Sequence, residues 1–184
     1  MNRIEWIIVL TSLACPLLAA QSSPTGTGKT ATCVVVRNKV QIPCPENWNI
    51  VDEYHDPYQD QIIIGNFPRT PENHNRMSGP GMATIAASVL PKGYEGLDRW
   101  IWVGRKNAPD AIETKLEIAN QTVGKVSVVF MTSPASSGPA FASYFFQIGN
   151  VPLVLELSYR AQDPKKDEYR AAVQRMIERA SVPR

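Results

Sequence analysis

The densest set of groups able to do chemistry is Asp52-Glu53-Tyr54-His55-Asp56, with Asp60 shortly beyond. Carboxylates and an imidazole at this density can ligate a cation or work as an acid–base pair. The alternating Asp-x-Asp-x-Asn-Gly spacing of a calcium loop is missing, so the stretch reads first as a solvated turn between two strands. The other histidine, His74, stands in the polar run Glu72-Asn73-His74-Asn75-Arg76, too far along the chain for His-x-x-x-His or His-Glu-x-x-His spacing. Neither Ser78-Gly79-Pro80 nor Ser137-Gly138-Pro139 supplies the Gly-x-Ser-x-Gly of a nucleophile elbow. Gly26-Thr27-Gly28-Lys29-Thr30 has the tail of a phosphate-binding loop, but Ser23 occupies the position of its first glycine. No catalytic residue, cofactor or metal set is therefore assigned. The alternative kept open is an exported enzyme or metal-binding protein using the acidic turn Asp52–Asp60.

Cysteine chemistry is read from the compartment. Met1–Ala20 has the form of a secretory signal: Arg3 precedes an apolar run from Trp6 to Leu18, and Ala19-Ala20 offers a small-residue cleavage site before Gln21. The run is too short for a bilayer span, so no stable membrane span is expected after cleavage. A lipoprotein signal at Cys15 is the rival, weakened because Leu13 sits two residues before the cysteine rather than three. Removal of the signal leaves Cys33 and Cys44, and export favours a disulfide between them. A two-residue turn at Asn38-Lys39 sets the two directly opposite on a hairpin, with Cys33, Val35, Val40, Ile42 and Cys44 on the buried face. That register puts the pair at a wide, hydrogen-bonded site, which a bulge or a longer turn would relieve.

Residues 21–31 are polar and read as a linker, leaving 32–184 as a single domain. The chain is 43% hydrophobic with four Trp, six Tyr and five Phe, enough to build a core and to exclude global disorder. A formal charge of +2 argues against nucleic acid, which needs a clustered basic face. Strands are expected from Trp48, over Gln61–Gly65 and Met82–Leu90, and over Thr114–Asn120 and Lys125–Met131 joined through Gly124. Phe141–Ile148 and Pro152–Arg160 flank a Gly149-Asn150 turn, with Tyr144, Phe146, Leu153, Leu155 and Leu157 on one face. Leu97, Trp100 and Ile101 give helical spacing over about 95–106. A closing helix is expected to be capped by Asp163, with Pro164 at its first position and Tyr169, Val173, Met176, Ile177 and Ala180 as its apolar stripe. Together these predict an α+β fold, a central, mainly antiparallel sheet covered by two helices, preceded by the disulfide-linked hairpin.

Pro45-Glu46-Asn47-Trp48, Leu97-Asp98-Arg99-Trp100, Leu153–Tyr159, Asp163-Pro164 and Tyr169–Ile177 follow in an order that resembles the PsbP-like family of secreted or lumenal domains. The resemblance covers roughly residues 41–181 and rests on short patterns. It implies an α/β/α sandwich and a binding or assembly role, and it brings over no catalytic residue. The cysteine hairpin and the long loop 69–81 lie outside the family's pattern.

The leading expectation is thus a secreted or periplasmic, non-catalytic domain that binds a protein partner. Its contact patch is placed at Trp102, which lies off the stripe of the first helix, with Tyr94, Arg99 and Arg105 nearby. Asn120-Gln121-Thr122 is a glycosylation sequon, relevant in a host that modifies secreted chains.

Overall fold

Two-residue alternation of apolar side chains, far more than helical periodicity, organises this chain. The computed structural model describes residues 32–36, 39–55, 60–68, 79–90, 117–132 and 136–183. Strands β1 (Thr32–Val36) and β2 (Val40–Pro43) form a hairpin. Seven more follow: β3 (Asn49–His55), β4 (Asp60–Gly65), β5 (Thr84–Val89), β6 (Glu117–Val123), β7 (Val126–Thr132), β8 (Pro139–Ile148) and β9 (Val151–Arg160). Helix α1 (Lys166–Arg179) comes last. The seven strands make one sheet in the order β3-β4-β5-β9-β8-β7-β6, antiparallel at every step. Two meanders, β3-β4-β5 and β6-β7-β8-β9, therefore join through the β5–β9 pair.

The expected α+β architecture is corrected by this topology. Among the described residues the fold is mostly β: a seven-stranded antiparallel sheet, a two-stranded sheet and a single C-terminal helix. The helix expected over 95–106 lies outside the described residues. The physical reason is that, among the described residues, most apolar side chains fall in strands, and two of those, β8 and β9, reach ten residues each.

The main core lies on one face of the sheet. Ile62, Ile64, Ile85, Ala87, Tyr144, Phe146, Leu153, Leu155 and Leu157 point there and pack beneath α1 and the hairpin. Helix α1 contributes Tyr169, Val173, Met176 and Ile177, all buried, with Ala180 partly buried behind them. Its start differs from expectation. The N-cap position is Lys165, and Asp163 instead accepts the Lys165 N–H through Oδ1 at 2.9 Å, closing the turn before the helix.

The hairpin is one residue out of the expected register. Val34 pairs with Ile42 and Val36 with Val40, so the turn spans three residues, and a bulge interrupts the ladder between Thr32 and Val34. Adding one residue to the turn inverts the parity of β1 relative to β2. Val34 and Val36, together with Val40 and Ile42, are the fully buried side chains. The bulge absorbs the shift, and Cys33 and Cys44 form the disulfide with their Cα atoms 4.9 Å apart. Beyond it, the Trp48 N–H bonds the Pro45 carbonyl at 3.2 Å, with Asn47 in the left-handed region at φ 63°.

Candidate functional site

The acidic stretch is strand rather than turn through His55. Residues 52–55 belong to β3, and Asp60, expected before β4, is its first residue and pairs directly with His55. Asp60 is buried at 4% exposure, whereas the His55 side chain is 45% exposed, and its Nδ1 lies 2.7 Å from Asp60 Oδ1. Glu53, two residues back on the same face, places Oε2 3.6 Å from His55 Nε2. On the opposite face the Tyr54 hydroxyl donates to Asp52 Oδ2 at 2.7 Å, and that hydrogen bond holds the phenol above its ordinary titration range. A buried carboxylate that fixes one imidazole nitrogen and leaves the other facing outward is the arrangement that orients a base or a metal ligand. Among the described residues, however, no group of three or more His, Cys, Asp or Glu converges to hold a metal ion. Asp56 lies outside the described residues.

A second constellation occupies the sheet face away from α1. Leu90, Phe145 and Val154 form a small buried cluster there, with Val129 and Met131 against it. The registers line up Ile63, Ala86, Glu156, Ser143 and Met131 in one row across five strands. Ser143 is buried, and burial pushes the Glu156 carboxyl up from its ordinary value. One row over, Gln61 Nε2 donates to Ser88 Oγ at 2.9 Å. The sequence reading passed over Glu156. Its signal is a carboxylate between Leu155 and Leu157 in an otherwise apolar strand.

A third cluster ties the start of α1 to the sheet. The Tyr169 hydroxyl lies 3.2 Å from Asp163 Oδ2 and 3.3 Å from the Gly81 carbonyl. Asn66 donates to the same carbonyl and accepts the Ala83 N–H. Trp48 stacks edge-on against Tyr169 with ring centroids 6.2 Å apart. This is positioning rather than chemistry: it uses the Trp of the Pro-x-x-Trp step to orient the closing helix.

The sheet's two edges differ in kind. Strand β3 carries a register irregularity between Ile50 and Asp52, then Asp52, Glu53 and His55. Bulges and charges of this sort discourage edge-to-edge pairing. Strand β6 pairs with β7 over seven residues without a bulge, and Glu117 is its sole ionisable side chain. Glu117, Ile118, Ala119, Asn120 and Thr122 are exposed. An open depression of about 380 Å³ lies across this edge, lined by Asn120, Gln121, Thr122, Ser127, Val128 and Val129.

Of the residues singled out in the sequence, the structure joins Cys33 to Cys44 and sets Asn120 on an exposed edge strand. Trp102, Tyr94, Arg99 and Arg105 lie outside the described residues. No helix among the described residues is long and apolar enough to cross a membrane.

No family model matches the chain, and no curated protein matches it. Solved structures do. One is the Ran-binding protein Mog1p of Saccharomyces cerevisiae, 13% identical, with a TM-score of 0.51 over 78% of this chain and 90% of that one. Another is LpqN of Mycobacterium tuberculosis, described as involved in cell envelope biogenesis, 17% identical, with a TM-score of 0.44 over 78% and 83%. The likeness to Mog1p is one of fold.

Proposed function

We propose that this chain is an exported, non-catalytic binding or assembly domain that recognises a protein partner. Residues 1–20 would serve as the export signal, 21–31 as a linker and 32–184 as one folded unit. The observation that carries the reading is the fold shared with Mog1p, a protein described as Ran-binding, over most of both chains. The Cys33–Cys44 disulfide fits folding in an oxidising compartment. The partner-contact patch proposed from the sequence is Trp102 with Tyr94, Arg99 and Arg105, because Trp and Arg dominate interface hot spots. Affinity capture of full-length protein from the exported fraction tests this. A stoichiometric partner retained by wild type and lost with Trp102→Ala supports both the role and the patch. Equal capture by the variant removes the patch, and no specific partner removes the role.

A second reading has one observation in its favour, the His55 imidazole held against buried Asp60. It makes the chain an exported enzyme or metal-binding protein acting at Asp52–Asp60. Metal analysis of protein purified from its native compartment decides it. Stoichiometric calcium or zinc, lost on His55→Ala, favours this reading.

A further inference from the structure

We propose that strand β6 is a self-association edge, through which two copies of this chain pair antiparallel about a two-fold axis at Gln121. The argument starts from the β6–β7 hairpin. Val123 and Val126 flank the two-residue turn Gly124-Lys125, whose glycine has φ 59°. The residues flanking such a turn exchange their backbone bonds, and the pattern then alternates along the ladder. Residues 123, 121, 119 and 117 therefore bond inward to β7, while Ile118, Asn120 and Thr122 direct their N–H and C=O groups to the outer edge. No described strand lies beyond that edge.

Three features favour a second copy as the occupant. The first is that, among the described residues, this strand carries neither the register irregularity nor the run of charges that guards β3. The second is Gln121, whose Nε2 is buried with no hydrogen-bond partner among the described residues. A buried amide left short of an acceptor calls for a partner. With the axis at Gln121, the two Gln121 residues face each other at a close, non-hydrogen-bonded site, where their amides, once turned outward from the position that leaves Nε2 unsatisfied, can donate and accept reciprocally. The third is charge. This register sets Asn120 opposite Thr122 of the other copy, exchanging backbone bonds, and brings exposed Glu117 to the end of the other copy's β6, where exposed Lys125 stands in the turn. Both strand ends thus gain an opposite-charge pair. A self-pairing strand is an isologous contact, which closes at two copies.

The proposal is independent of the heterologous partner and of the Trp102 patch. Its test is sedimentation equilibrium of the disulfide-intact protein over a concentration series, with far-UV circular dichroism confirming the fold of each variant. Wild type is expected to dimerise reversibly. Gln121→Glu, which sets two carboxylates face to face on the axis, should weaken the dimer roughly tenfold or more. Thr122→Pro removes an outward N–H without touching the β7 ladder and should act likewise. Glu117→Lys and Lys125→Glu should each weaken the dimer, and the double swap should restore it, since only this register makes them partners. A monomer at every concentration up to about 1 mM overturns the proposal. So does a dimer that ignores Gln121→Glu and Thr122→Pro, or one that the double swap fails to restore. A monomer that instead captures a different protein, lost on Thr122→Pro, also overturns it, by giving the edge another occupant.

Discussion

Glu156 and Tyr144 sit on opposite faces of the sheet, and both are titratable groups whose burial disfavours the charged form. For Glu156, burial raises the folded-state pKa above the value in the unfolded chain. Its contribution to stability is therefore complete below the ordinary carboxylate value and is lost as pH rises through the raised one. Glu156→Gln removes that loss. The variant should be more stable than wild type at pH 7, and its advantage should vanish near pH 3, as read from urea midpoints at the two pH values. Equal midpoints at pH 7 would contradict the burial assigned to this carboxyl. Tyr144, 1% exposed, has its phenol pushed up to about 12, chiefly by burial. Above pH 10 the unfolded chain ionises this group while the folded chain keeps its proton, so stability falls between pH 10 and about 12. The loss attributable to Tyr144 is of order 2 kcal/mol. Wild type should lose that much more stability than Tyr144→Phe over this interval in paired denaturation curves, and parallel curves would count against it.

Helix α1 is the only described helix, and it holds itself against the sheet by side-chain packing, with no backbone ladder to share. Val173 is fully buried at the centre of its stripe. Val173→Asp places an uncompensated charge there and should destabilise the protein by about 3 kcal/mol or more. An unchanged thermal midpoint would show that the helix does not depend on this face. The stripe was legible in the sequence because α1 needs a local period of 3.6 and nothing else. The β8–β9 pair was legible for a similar reason: Gly149-Asn150 fixes a register that puts Tyr144, Phe146, Leu153, Leu155 and Leu157 together in the core. Where register hung on a less defined turn, sequence reasoning missed. Arg37-Asn38-Lys39 admits two- and three-residue turns, and the three-residue choice makes Val34 and Val36 the buried pair of β1. Asp52–His55 looked like a turn because charge suggests solvent. An edge strand is solvated too, and β3 carries these side chains without leaving the ladder. The His55–Asp60 pair arises only from that ladder, and the Glu156 row only from five strands brought side by side, so neither is written in local spacing.

Across the whole molecule, the β1–β2 hairpin is joined to the larger structure in an unusual way. It shares no sheet with the seven strands, yet Val34, Val36, Val40 and Ile42 are all at 0% exposure beneath it. A two-stranded hairpin is marginal by itself. Three things hold this one: apolar packing on the sheet and α1, the disulfide, and a bridge to the chain after the helix. In that bridge Gln41 N–H bonds the Ser181 carbonyl at 2.7 Å and Ser181 N–H bonds the Gln41 carbonyl at 2.9 Å. The first described strand and the last described segment are thus stitched together over the core. The disulfide closes a loop with a sequence separation of 11, so its loss should cost about 3 kcal/mol through the unfolded-state entropy. Replacing both cysteines by serine should lower the urea midpoint accordingly. The damage should also be unevenly distributed, because local opening follows the weakest attachments. Amide exchange should quicken at Val40–Ile42 and at Ser181, which opens with its partner, by more than it does at β5 and β9 in the middle of the sheet. Uniform quickening would mean that hairpin and sheet open as one unit, and exchange unchanged at Ser181 would mean that the bridge does not depend on the disulfide.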